Sequence, residues 1–139
     1  FILFRLAGWS EAADRVFAEL ERRAATLVAV DVPALPDLFP PLDVVTSPAL
    51  FYVRFHGRNA RGWRSGHLQQ QFDYRYAESE LREWVTGRIA GMARRARRGV
   101  IFFNNHVRGQ AAVNARQLAG LLEAEGLGGG APWSAPSST

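Results

Sequence analysis

The stretch "LFYVRFHGRNARGW", residues 50 to 63, opens as a strand and closes as a polar loop. Side chains alternate across a strand, so Phe51, Val53 and Phe55 share one face while Tyr52, Arg54 and His56 share the other. The apolar set suits packing against helices. The second set requires something polar opposite it, because an inward arginine is costly unless it is paired. Asp31, at the end of a neighbouring apolar run, is the expected carboxylate partner of Arg54. Such a pair serves either to close a core or to build a site.

Outward from that strand the chain alternates. Residues 1 to 6 read as a strand, and Ser10 is placed to cap a helix carrying Ala13, Val16, Phe17, Leu20 and Ala24 at helical spacing. Leu27 to Asp31 is a second strand. Residues 32 to 49 contain Pro33, Pro36, Pro40, Pro41 and Pro48, too many for a regular helix, so an irregular connection is expected there. After the quoted stretch, a polar segment to Tyr76 precedes a helix over residues 78 to 98, with a core stripe of Leu81, Trp84, Val85, Ile89, Met92 and Ala96. The basic run "ARRARRG", residues 93 to 99, suits a solvated helix end, where Arg complements the dipole and Gly99 stops the turn. Val100 to Phe103 is a fourth strand, and residues 110 to 125 a last helix with Ala111, Ala115, Leu118 and Leu122 on one face. Strand, helix, strand in this order implies an α/β fold with a parallel sheet. Four such strands suit half of a barrel or part of an open doubly wound sheet.

Composition sets the outer limits. The chain has 139 residues, 47% of them hydrophobic and 22% charged, which suits one globular domain. All basic side chains are Arg and the net charge is +4. We read that excess as a compositional habit, since a nucleic-acid footprint needs clustering as well as a total. The absence of cysteine excludes disulfides, thiolate metal sites and a cysteine nucleophile. No apolar run suits a membrane span or a signal segment, so no membrane partner and a cytoplasmic location are expected. The chain starts directly in strand-like residues, Phe1 to Phe4, which suggests a piece of a larger protein. The expected organisation is a domain over residues 1 to 125 and a low-complexity, disordered tail over 126 to 139.

Three segments in order, "YVRFHGRNARGW", "FDYRYAESELREW" and "VIFFNNHVRGQAAVNARQL", resemble the YecE-like family, catalogued as domain of unknown function 72. The resemblance covers residues 1 to about 125. It implies a TIM-type (β/α)8 barrel, with this chain as its C-terminal half, strands five to eight with their helices. The missing N-terminal half of the same barrel would then be a partner. No established activity comes with it. Arg5 and Trp9 match the family pattern, whereas Leu6 and Ala77 depart from it; Ala77 leaves only Glu80 of an "S-x-x-E" capping box.

In either α/β architecture, sites are built at the carboxyl ends of the strands. Arg5, Asp31, Arg54 and His56 fall there, and Asn104, Asn105 and His106 follow the last strand. We assign His56, His106, Asp31 and Arg54 as candidate catalytic residues, with a histidine as general base or hydrogen-bond donor. Arg58, Asn59, Asn104, Asn105 and Arg108, in loops carrying Gly57 and Gly109, are candidate anion ligands. Trp9, Trp63, Tyr74 and Tyr76 are aromatic candidates for stacking or for anchoring loops. His67 is expected to face solvent. Two histidines and an aspartate at adjacent strand ends suit a divalent metal in type, but no close H-x-x-x-H or H-x-E spacing supports one, so no metal ligand is assigned and the cofactor is unknown. Nucleophile-elbow, Walker and dinucleotide motifs are absent. Two functions fit: an enzyme on a phosphorylated or other anionic substrate, a phosphodiester or sugar phosphate for example, or a non-catalytic module that binds nucleic acid or an anionic ligand.

Overall fold

Phe51–Phe55, the central strand β2, forms where every second residue is large and apolar, and its Val53 and Phe55 are wholly buried. In the computed structural model, which describes residues 12–128, two further strands flank it: β1, Val28–Asp31, and β3, Gly99–Phe103. The sheet order is β1-β2-β3 and both pairings are parallel. The strand expected at residues 1 to 6, the cap at Ser10 and Trp9 lie outside the described residues. So does most of the expected tail.

Helices cover one face of the sheet. α1, Ala13–Arg22, precedes β1 and buries Leu20. The polar segment after β2 holds two short helices, α2, Ala60–Ser65, and α3, Leu68–Gln71. α4, Glu78–Trp84, runs through a π-helical turn, Val85–Ile89, into α5, Ala90–Ala93. Thr86 Oγ1 donates to the Arg82 carbonyl at 3.0 Å there and Gly87 follows, two features that loosen the regular ladder. The helix therefore ends at Ala93 and not at residue 98. Gly99 is no helix stop: it is the first residue of β3, and a Cβ there would meet the Phe51 ring at 2.2 Å. α6, Gln110–Ala124, follows a single 3-10 turn, Val107–Gly109, in which Arg108 and Gly109 both have positive φ.

Leu81, Trp84, Val85, Ile89 and Met92, with Leu118 and Leu121 of α6, close over Phe51, Val53 and Phe55 to make the core. Phe55 stacks on Phe103 at 4.7 Å between ring centres and meets Tyr76 and Trp84 edge-on. The other face is thin. Val28, Val30 and Tyr52 form a small cluster there, and Phe102, stacked on Tyr52, is 52% exposed.

The proline-rich segment, residues 32 to 49, holds no helix, as its composition predicts. Thr46 pins it, accepting from the Leu27 N–H at 2.9 Å and donating to the Ala25 carbonyl at 2.6 Å. Among the described residues no helix is long and apolar enough to cross a membrane.

Candidate functional site

The parallel register decides which polar residues meet at the carboxyl edge. Val30 lies opposite Arg54 and Asp31 opposite Phe55. Asp31 therefore stands on the helix-covered face and Arg54 on the other, so the pair expected from the sequence does not form. A shift of one residue reverses the facing of a whole strand, and only the three-dimensional register fixes it.

On the helix side, buried Asp31 is held by Arg58. The guanidinium gives Nε to Oδ1 at 2.8 Å and Nη2 to Oδ2 at 2.7 Å, and Trp84 Nε1 also donates to Oδ2. Arg58 Nη1 reaches Glu80 at 3.3 Å, with Glu83 at 3.9 Å. Tyr74 Oη donates to Glu80 at 2.6 Å, and Tyr76 Oη accepts the Gly57 N–H at 2.8 Å. Burial pushes the Asp31 carboxyl above its ordinary value against the pull of Arg58. Burial likewise raises both tyrosine hydroxyls, aided at Tyr74 by the hydrogen bond to Glu80. Hydrogen bonding to Asp31 raises Arg58 and keeps it charged. A guanidinium ringed by three carboxylates is poorly placed to take an anion. Gly57, at φ 93°, lets the chain turn here; a Cβ would strike Tyr74 Cβ at 2.7 Å.

Across the sheet the arrangement is open. Arg54 Nε donates to Asn104 Oδ1 at 3.0 Å, and the main-chain carbonyl of the same Asn104 lies 2.9 Å from His106 Nδ1. A carbonyl only accepts, so Nδ1 carries the proton and the Nε2 of neutral His106 keeps its lone pair. His106 is exposed. His56 is buried; its ring meets Trp63 edge-on and lies 5.8 Å from Phe72, which lies 5.6 Å from His106.

The remaining candidates are engaged in structure. Arg108 pairs with Asp73 at 2.7 Å, and that guanidinium holds the Asp73 carboxyl below its ordinary value. Asn59 caps α2 by accepting from Gly62, and its amide donates to the Gln70 and Asp73 carbonyls. Asn105, wholly buried, donates to the Tyr74 carbonyl and to Asn114. Tyr76 is a core residue, Trp63 and Tyr74 are half-buried, and His67 is exposed. Among the described residues no three His, Asp or Glu side chains gather as metal ligands would.

Three contributors were missed in the sequence. Glu80 reads as the remnant of a capping box, and its Oε2 does accept the Ala77 N–H, yet Oε1 also serves Arg58 and Tyr74. Trp84 reads as core only, while its indole N–H serves Asp31. Asn114 pairs with both main-chain groups of Tyr76. Its signal was available: an asparagine one helical turn before Leu118 is polar in an apolar stripe.

The geometry can be set beside known proteins. A DUF72 family protein from Enterococcus faecalis V583 superposes with a TM-score of 0.81 at 30% identity, over 88% of this chain and 46% of that one. One from Thermotoga maritima MSB8 gives 0.77 at 37% identity, over 86% and 44%. The UPF0759 protein YunF of Bacillus subtilis is 33% identical over 78 residues, 52% of this chain and 27% of that protein. The chain thus spans less than half the length of each of these relatives. The family model described as protein of unknown function DUF72 matches residues 2–137, and the chain belongs to that family.

Proposed function

We propose that the carboxyl edge of the sheet binds an anionic ligand through Arg54, and that His106 moves a proton at the bound group. The observation that carries this reading is the double use of Asn104: its side chain orients the guanidinium and its carbonyl orients the imidazole. Among the described residues Arg54 uses only Nε, for its hydrogen bond to Asn104, which leaves both Nη groups for a ligand, and a planar guanidinium suits a phosphate or carboxylate. With Nδ1 on the Asn104 carbonyl, the Nε2 of the exposed His106 ring is left to accept a proton from water or a hydroxyl. The chemistry supported is hydrolysis or transfer at a phosphodiester or sugar phosphate. Arg58 and Arg108, neutralised by carboxylates, leave the anion site in this reading.

The same edge fits a larger frame. We read the three parallel strands as part of the C-terminal half, strands five to eight, of a TIM-type barrel. The open Phe102 face and the 46% span of the Enterococcus relative support that reading. Arg54 and Asn104 then line the barrel mouth, where such folds build their sites.

The test uses two binding probes and one substrate. Binding of labelled duplex DNA and of inorganic phosphate is followed by anisotropy and by amide chemical shifts, at low and moderate salt. Arg54→Ala is expected to weaken binding at least about tenfold, and Arg108→Ala to leave it within about twofold. With bis-p-nitrophenyl phosphate as substrate, His106→Gln is expected to lower kcat with little change in KM. Wild-type binding by Arg54→Ala would sink the site. Binding that needs Arg54 without any turnover would make this edge a recognition module.

A further inference from the structure

The basic run at residues 93 to 99 was explained from the sequence as a helix end, but the helix stops at Ala93. Arg97 and Arg98 lie beyond its last turn, on the link into β3, where the helix dipole no longer acts on them. The Arg97 N–H is fixed to the Pro48 carbonyl at 3.0 Å and both side chains are exposed. Among the described residues neither forms an ion pair; Glu123 and Glu125, on the nearby end of α6, pair with neither.

These two arginines border a cleft of about 590 Å³ at the amino ends of β2 and β3, opposite the Arg54 edge. Phe51 and Ile89 form part of its wall, and Leu122 and Leu127 contribute from the end of α6 and just past it. The volume lies in the range of small-molecule sites, and the accessible lining divides between apolar side chains and the polar mouth that the two arginines border. We propose that this cleft binds an anionic amphiphile, its alkyl chain against Ala96, Ile101, Leu122 and Leu127, which stay partly accessible, and its carboxylate or phosphate head on Arg97 and Arg98. Arginine suits such a head because its fork matches two oxygens at once. This proposal is independent of the Arg54 site.

The experiment titrates the 139-residue chain with octanoate, decanoate and dodecanoate below their micellar concentrations, by calorimetry and amide chemical shifts. Affinity is expected to rise about fourfold per added methylene, the factor for burying one such group. Decylamine is expected to bind at least about tenfold more weakly than decanoate. Arg97→Gln with Arg98→Gln, both on exposed side chains, is expected to abolish that preference. Ala93→Leu, which intrudes on the cleft, is expected to weaken every chain length; if circular dichroism finds it unfolded, the arginine variant still decides. Equal binding of amine and carboxylate, or affinity that ignores chain length, would overturn the proposal. So would sedimentation with phosphatidylglycerol vesicles without binding of monomeric decanoate, which marks a basic patch alone.

Discussion

The two faces of the sheet carry charge in opposite ways. On the helix-covered face a carboxylate is buried first and the rest is built round it: Asp31 meets Arg58, Trp84 and, through Arg58, Glu80. On the other face, among the described residues, an arginine meets a neutral amide and no carboxylate, and His106, held by the same Asn104, is exposed. Burial makes a lone charge expensive, so the covered face has to pair its charges internally, whereas a half-exposed guanidinium can leave part of its hydrogen-bonding capacity unused. Charge saturated by internal partners serves the framework, and charge left unsaturated by the described residues is what the proposed site draws on.

The largest effect should come from the apolar residues that make this contrast. Phe55→Ala removes a wholly buried ring stacked on Phe103 and should cost about 3–5 kcal/mol, read from urea unfolding. Phe102→Ala, on the open face and 52% exposed, should cost under about 1 kcal/mol. A loss at Phe102 as large as that at Phe55 would mean that the open face is covered in solution.

The charged residues should divide in the same way. Asp31→Ala leaves Arg58 and the Trp84 N–H without their acceptor, and breaking a buried pair of this kind costs about 3–5 kcal/mol. Arg54→Ala loses one hydrogen bond to a neutral partner, about 1 kcal/mol. The midpoint of denaturation should separate the two variants clearly, with the same slope for both. Similar costs would mean that Arg54 is as much a part of the framework as Arg58.

Much of this was legible in the sequence and two features were not. The apolar runs at residues 27 to 31, 50 to 56 and 100 to 103 became the strands because short apolar runs rich in β-branched and aromatic residues read directly. The faces of β2 were likewise right, since Phe51, Val53 and Phe55 pack under the helices. Which face Asp31 takes was hidden, because alternation within a strand says nothing about its register against the next. Swapping the expected partner Arg54 for Arg58 followed from that single offset. The helix end at Ala93 was hidden for another reason: the apolar stripe continues to Ala96, and nothing in it reveals the π turn.

Tyr76→Phe sharpens the contrast within the covered face itself. The hydroxyl accepts the Gly57 N–H in a buried setting, so its removal strands a main-chain donor, at about 1–3 kcal/mol. Hydrogen exchange should become faster at Gly57 before it does at Val53. Equal protection in both proteins would mean that water replaces the hydroxyl.

The smallest effect belongs to the second arginine pair. Arg108 and Asp73 sit at the surface, with 73% and 32% of their side chains exposed, where solvent and salt screen most of the attraction. Arg108 lowers the Asp73 pKa, so the pair adds stability above the unfolded value of about 3.9 and loses it as pH falls through the lower native value. Melting curves of wild type and Arg108→Ala should therefore differ slightly at neutral pH and low salt, and converge both in acid and at high salt. A gap that persists in acid would mean that Arg108 acts through its positive φ and the start of α6, with the ion pair incidental. The two arginines of the loops would then differ in kind, Arg58 anchoring through charge and Arg108 through backbone shape.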